Sequence, residues 1–252
     1  MKPKVSDIVS IVNEFAPFEK ALDYDNVGLL VGHPDWAVDT ALVALDLTMG
    51  AVEEAKACGA QLILTHHPVM FNGRKHLRED DAEGAAIAEL IRNRIAMIAA
   101  HTNYDVAKGG VSEILAADLG IRNAEPAAEG LIVVGDYAGT LRDLEWAVRE
   151  RINPHARVYG QDRILLRVAV CGGAGGDFWE LAKMAGADCF LTGEVKHHEA
   201  LSAVQMGMPI IDAGHYETEH LALNQLASSL QNRANALQYN LRTIVSEFHP
   251  FR

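Results

Sequence analysis

The sequence predicts an α/β protein built from a duplicated unit, on three observations. Residues 53–65 (EEAKACGAQLILT) recur as residues 180–192 (ELAKMAGADCFLT), with 7 of 13 positions identical in place (180 − 53 = 127). Residues 95–105 are echoed by residues 209–219 at another offset (215 − 101 = 114). In both copies a histidine precedes a carboxylate by four positions, as His101 and Asp105 and as His215 and Glu219. Short apolar runs of strand length also alternate with helical periodicity, the pattern of β-α-β units with parallel strands and right-handed crossovers. The duplication assigns residues 1–125 to one α/β lobe and 126–252 to the other, with exchange of strands between lobes allowed.

Each element has a local cause. Ser6 and Asp7 can cap a first helix whose apolar face is Ile8, Ile11, Val12 and Phe15, and Pro17 ends it. In the turn-rich residues 24–32, Asp25 and Asn26 either close a turn or reach a site, and turn chemistry favours the first. A strand over 41–45 ends at Asp46, and a helix over 49–58 is stopped by Gly59. The buried strand 62–65 runs into His66-His67-Pro68, where the proline stops the ladder. Beyond a strand's end the chain can turn both imidazoles into one space, the usual ligand position of open α/β sheets. Hydrogen-bonded loop histidines are the alternative.

Residues 68–84 are long for a connection and carry Arg74, Lys75, His76, Arg78 and Glu79-Asp80-Asp81. A solvated charged loop is the favoured reading, and a lid meeting substrate phosphates the other. A helix over 85–93, a strand over 95–99 and a helix from Gly109-Gly110 to about Leu119 follow. The Pro/Ala-rich residues 121–129 are the expected boundary. The second half opens with a strand at 131–134, a helix over 141–151 and a strand over 165–170. That strand enters Cys171-Gly-Gly-Ala-Gly-Gly-Asp177, a turn that either cradles phosphate or is simply tight, and it matches neither nucleotide fingerprint. The echo strand ends in Gly193-Glu194 where the first copy has two histidines, and His197 and His198 follow at the start of a helix. A strand at 210–212 delivers His215, and a helix over 221–230 and a strand over 239–245 close the series.

Composition bounds the function. The chain has 252 residues, 49% hydrophobic and 22% charged, enough for a full core and too apolar for disorder. A net charge of −12 argues against nucleic acid or an acidic membrane as a partner, since both need a basic footprint. Cys58, Cys171 and Cys189 are odd in number and form no Cys-x-x-Cys pair, so they read as small buried residues of a reducing compartment. No apolar signal core or membrane-length run is present, and a soluble cytoplasmic protein is expected.

The polar residues at predicted strand ends are His66, His67, His101, Asp105, His215 and Glu219. Imidazoles and carboxylates without cysteine suit divalent Zn, Mn, Fe or Ni. The set is generous for one ion and right for two ions sharing a bridging water. A pseudo-twofold pairing of half-sites gives such a pair a structural cause. Alternatives stand beside each residue: a helix-face ion pair for His215 and Glu219, orientation of a carboxylate for His101, and a cap for Asp105.

At these residues the chain resembles the Nif-three-like dinuclear metal-centre family, whose members are named GTP cyclohydrolase 1 type 2 homologues. The resemblance runs through Asp25-Asn-Val-Gly-Leu29, Val43-Ala-Leu-Asp-Leu-Thr48, Thr65-His-His67, His101-Thr-Asn-Tyr-Asp105, Leu191-Thr-Gly-Glu194 and Ala213-Gly-His-Tyr-Glu-Thr-Glu219. It implies two divalent ions held by His66, His67, Asp105, His215 and Glu219, with His101 a pocket residue beside them. It implies three-layer α/β/α lobes intertwined around a pseudo-twofold axis, and a homohexamer, a trimer of dimers. The activity it implies is ring opening of GTP with release of formate. A metal-bridged hydroxide is then the nucleophile at C8, and His101 or Glu194 moves protons. Two other readings remain open: a metal chaperone or scaffold without turnover, and a hydrolase of another small phosphorylated compound.

Overall fold

The computed structural model describes residues 1–251. The chain divides into two compact units, one made of residues 1–104 with the chain from Leu223 onward, the other of residues 105–222. The division therefore falls after Tyr104 and after Ala222, not at 125/126. Residues 122–127, within the expected boundary, form an edge strand of the second unit's sheet. Pro126 is tolerated there because an edge strand has one row of backbone groups without a ladder partner.

The first unit is a three-layer sandwich. Helix α1 (Val5–Phe15) starts earlier than expected: Lys4 holds the N-cap position and its N–H donates to the Asp7 carboxylate at 2.7 Å, so the cap comes from inside the first turn. Strands β1 (Gly28–Val31), β2 (Thr40–Ala44), β3 (Leu62–Thr65) and β4 (Ala96–Ala99) alternate with helices α2 (Met49–Cys58) and α3 (Ala82–Arg92). A short helix α4 (Thr102–Asp105) leads out, and α10 (Leu223–Ala236) and β11 (Arg242–Val245) return to this unit. The sheet order is β1-β4-β3-β2-β11, parallel except for β1. Leu42, Ile63 and Met97 face α2 and α3, meeting Val52, Ile87 and Leu90. Ala41, Val43, Leu62 and Leu64 alternate with them and are equally buried. This is why β2 and β3 read as continuous apolar runs. Gly59 takes φ 68° and closes α2, as its position in the sequence requires. Gly50 has a different cause: a Cβ there would overlap the ring of Phe248, whose segment crosses α2 beside the Glu54–Ser246 contact.

The second unit repeats the plan. Its strands are β5 (Arg122–Ala127), β6 (Ile132–Thr140), β7 (Arg157–Tyr159), β8 (Ile164–Cys171), β9 (Cys189–Thr192) and β10 (Ile210–Asp212). They lie in the order β5-β6-β8-β9-β10-β7, with β8, β9 and β10 parallel. Helices α5 (Val111–Asp118) and α6 (Leu141–Arg151) cover one face through Leu115, Leu144 and Val148. Helices α7 (Trp179–Met184) and α8 (His197–Gln205) cover the other through Trp179, Ala182 and Ala203, against Phe190 and Ile210. A ninth helix, α9 (His215–His220), follows β10. Strands β2, β3 and β4 correspond to β8, β9 and β10, and each series is flanked by one antiparallel strand beyond its last member. Among the described residues no helix is long and apolar enough to cross a membrane.

Leu64 is fully buried in the central strand. Leu64→Ala is expected to cost about 2–5 kcal/mol of stability, read as a lowered urea midpoint at unchanged slope.

Candidate metal centre

The first unit brings three imidazoles together by strand register. Ala44, Thr65 and Ala99 are aligned across β2, β3 and β4. Pairing continues one step past the strands, with His66 N donating to Ala44 O, His67 N to Leu45 O and Ala100 N to Thr65 O. His66, His67 and His101 therefore leave the sheet at one level. Their ring centroids lie 5.1 to 5.5 Å apart, and one nitrogen from each falls within 4.8 Å of the other two.

Each ring is anchored at Nδ1 by an oxygen. His66 donates to the Ala100 carbonyl at 2.9 Å, His67 to Asp46 Oδ1 at 2.8 Å and His101 to Asp25 Oδ1 at 2.9 Å. A carbonyl or carboxylate oxygen can only accept, so each Nδ1 carries the proton and each Nε2 keeps a lone pair. Metal-ligating histidines characteristically have such a partner on the second nitrogen. Asp25 is therefore a site residue and not only a turn former. Its side chain is fully buried, and its Oδ2 also accepts from the N–H and hydroxyl of Thr102. Burial by itself would raise this carboxyl. Hydrogen bonds from His101, Thr102 and the Asn26 N–H outweigh burial and hold it below the usual carboxylate range.

The charged segment after Pro68 is tied down. Arg74 bridges Asp81, at 2.6 Å, and Glu83, while Glu83 Oε1 accepts from Met70 N at 2.6 Å. Asp81 in turn caps α3 through Gly84 N. The Arg74 charge is thus committed within the loop, against the reading of it as a phosphate clamp.

The second unit builds its set on α9. His215 and Glu219 lie one turn apart, with Nε2 and Oε2 at 3.2 Å, and Glu219 is 4% exposed. His215 Nδ1 is 3.1 Å from Glu194 Oε2, the same anchoring as in the first unit. Glu194, expected to carry protons, thus holds a ring. The glycine turn after β8 packs on this pair. Gly173 has φ +63°, and a Cβ on it would overlap Glu219 Oε1 and meet His215 Nε2 at 3.3 Å. The turn's N–H groups are occupied: Gly172 donates to Ser112 Oγ, Gly173 to Thr218 Oγ1 and Gly175 to Thr192 Oγ1. A phosphate cradle is excluded for these three donors, and the glycines serve close approach. Burial first, and then the charges of Asp105, Glu219 and Asp177, push the Cys171 thiol far up, so this thiol is inert. His197 and His198 stand exposed at the start of α8, outside both sets.

The two echoes differ in quality. Strand register keeps the first, since β3 and β9 correspond at the expected 127. It shifts the second by one: Ala99 pairs with Thr65 and Asp212 with Thr192, an offset of 113 (212 − 99). His215 thus stands one residue further past its strand than His101; it is the first residue of α9, whereas His101 immediately precedes α4.

The donor chemistry fits divalent cations. Four imidazoles have Nδ1 anchored on oxygen, and His215 shares its helical turn with the buried Glu219. Gly173→Ala is expected to cost about 1–3 kcal/mol and to strip metal from the protein, whereas Gly109→Ala, with φ +73° and open space, costs about 1 kcal/mol and leaves metal content intact. Denaturation and elemental analysis of the two variants distinguish these outcomes. A depressed carboxyl stabilises the fold above its unfolded value, near pH 4, and loses that contribution as pH falls through the folded value. In chelator-treated protein the stability gap between wild type and Asp25→Asn should therefore be widest near neutral pH and be narrowed, though not closed, at pH 3, which still lies above the folded value; urea titration at pH 7 and pH 3 follows it.

A family model described as Duf34/NIF3 (NGG1p interacting factor 3) matches residues 3–251. A Clostridium acetobutylicum protein named GTP cyclohydrolase 1 type 2 homolog is 32% identical over 98% of this chain and 97% of its own. A Streptomyces coelicolor protein of the same name is 33% identical over 97% and 92%. A Bacillus cereus protein related to NIF3 superposes with a TM-score of 0.92 at 26% identity, covering 100% of this chain and 99% of its own. A Staphylococcus aureus hypothetical protein gives 0.91 at 30% identity, covering 100% and 99%.

Proposed function

Because this chain belongs to the Duf34/NIF3 family, we propose that it is a metal-dependent hydrolase of the GTP cyclohydrolase 1 type 2 kind, using two divalent ions held by His66, His67, Asp105, His215 and Glu219. The observation that carries the reading is the repeated anchoring of Nδ1, on Ala100 O, Asp46, Asp25 and Glu194, which makes Nε2 the lone-pair nitrogen of all four rings, on the proposed ligands His66, His67 and His215 and on the pocket residue His101. Bound divalent ions supply Lewis acidity and an activated water at neutral pH. The chain's own residues orient and move protons. His101, held by Asp25, keeps Nε2 as a base for a water proton, and Glu194 steadies His215 and so acts by positioning. On the GTP reading, one water adds at C8 of the guanine imidazole ring and the C8–N9 bond breaks, leaving a formamide on N7; a second water hydrolyses that formamide, and C8 leaves as formate. Assembly as a homohexamer belongs to the same proposal.

Purified protein is expected to carry close to two equivalents of a first-row divalent metal by elemental analysis, and His67→Ala to lose most of it. Loaded wild type should release formate and a pterin product from GTP, with His101→Ala slowed by about 10²–10⁴-fold at near-normal metal content. Full metal content with no hydrolysis of any nucleotide, together with transfer of metal to an apoprotein, would instead establish the metal-handling alternative.

A further inference from the structure

Beside His67, inside the first unit, lies a cavity of about 390 Å³, within the size range of small-molecule sites. It opens among the ends of β2 and β3 and the first turns of α2 and α3. Leu47, Met49, Val69 and Ala82 supply apolar walls, and Asp46 and Glu83 supply carboxylates.

The polar groups there have unequal commitments. Glu83 is spent on Met70 N and Arg74. Asp46 uses Oδ1 for His67, and among the described residues no protein group reaches its Oδ2. Thr48 accepts the cap bond from Ala51 N at 3.1 Å and still has its hydroxyl proton to donate. Among the described residues no Lys or Arg lines the cavity, and Arg74 is already paired with Asp81 and Glu83. An anionic phosphate would face carboxylates with no cation to receive it. A flat apolar ring with an N–H edge would find walls, an acceptor in Asp46 and a donor in Thr48.

We propose that this cavity is the base pocket of the site: it takes a neutral nitrogen heterocycle with a lactam–amidine edge, its N–H donating to Asp46 Oδ2 and its carbonyl accepting from Thr48. The assignment rests on the metal reading above only for its position beside His67. Asp46 then joins the two functions, one oxygen orienting a ligand imidazole and the other reading the substrate ring. The phosphates of a nucleotide bind outside this cavity.

The test uses guanosine, which has the edge and no phosphate, titrated calorimetrically into metal-loaded and metal-stripped full-length protein. Wild type should bind one equivalent. Ala82→Trp, which adds an indole to the cavity lining, and Asp46→Asn, which keeps an oxygen for His67 but replaces the open acceptor with an amide, should each weaken guanosine by about tenfold or more, for Asp46→Asn the effect of one lost hydrogen bond to a charged group. Metal content should stay within about twofold of wild type in Ala82→Trp, and for Asp46→Asn, which also touches the ring of His67, the comparison is made between metal-stripped proteins so that any loss of metal does not enter it. Inorganic triphosphate should not compete with guanosine. Failure of wild type to bind guanosine in either form, unchanged affinity in both folded variants, or displacement by triphosphate overturns the pocket assignment. Absence of metal from wild type overturns the metal reading instead, and guanosine binding to the stripped protein still judges the pocket.

Discussion

In-register parallel pairing of β2, β3 and β4 is the constraint on which the first unit's chemistry depends. Three strands that stop at one level, at Ala44, Thr65 and Ala99, release their next residues side by side. The same ladder bonds that end the strands fix where His66, His67 and His101 begin. The flanking residues then finish the work. The carbonyl of Ala100, at the end of β4, anchors the ring of His66 at the end of β3, while Asp46 after β2 anchors the ring of His67. Backbone hydrogen bonding thus becomes side-chain geometry with no long flexible lever between them, which favours a preorganised site over an adaptable one.

The second unit shows how one scaffold is turned to a different donor set. Where the first copy ends its central strand in two histidines, the second has Gly193 and Glu194, and the glutamate serves as an anchor. Where the first copy follows β2 with Asp46, the second follows β8 with glycines that let backbone approach His215 and Glu219. With the one-residue shift after β10, the histidine is the first residue of a helix. Within α9 the histidine and the acid four apart are neighbours, because i and i+4 share a helix face.

Much of this was legible in sequence. The helix over 49–58 and strand 62–65 fall at the residues foreseen, because Gly59 and Pro68 punctuate them unambiguously. The family was legible from the motifs, and the matching family model covers nearly the whole chain. Three things were not. Residues 121–129 look like a boundary because Pro and Ala are poor strand formers, yet an edge position removes the penalty on Pro126. Asp25 looked like turn chemistry because its partners, His101 and Thr102, are more than seventy residues away. The glycine turn resembled a phosphate cradle because sequence cannot show that Ser112, Thr192 and Thr218 already occupy its N–H groups.

The pairing of β11 with β2 has a consequence for biosynthesis. Residues 40–44 leave the ribosome about two hundred positions before the strand that flanks them, which at ~5–20 residues per second is a wait of roughly 10–40 seconds. Until residues 242–245 emerge, β2 presents an open edge of apolar sequence, the feature that invites wrong pairing in a nascent chain. The contiguous second unit, residues 105–222, is complete during that interval and can fold first. Translation order therefore makes the half of the protein carrying His66 and His67 the last to close, and the half most in need of a chaperone's shelter.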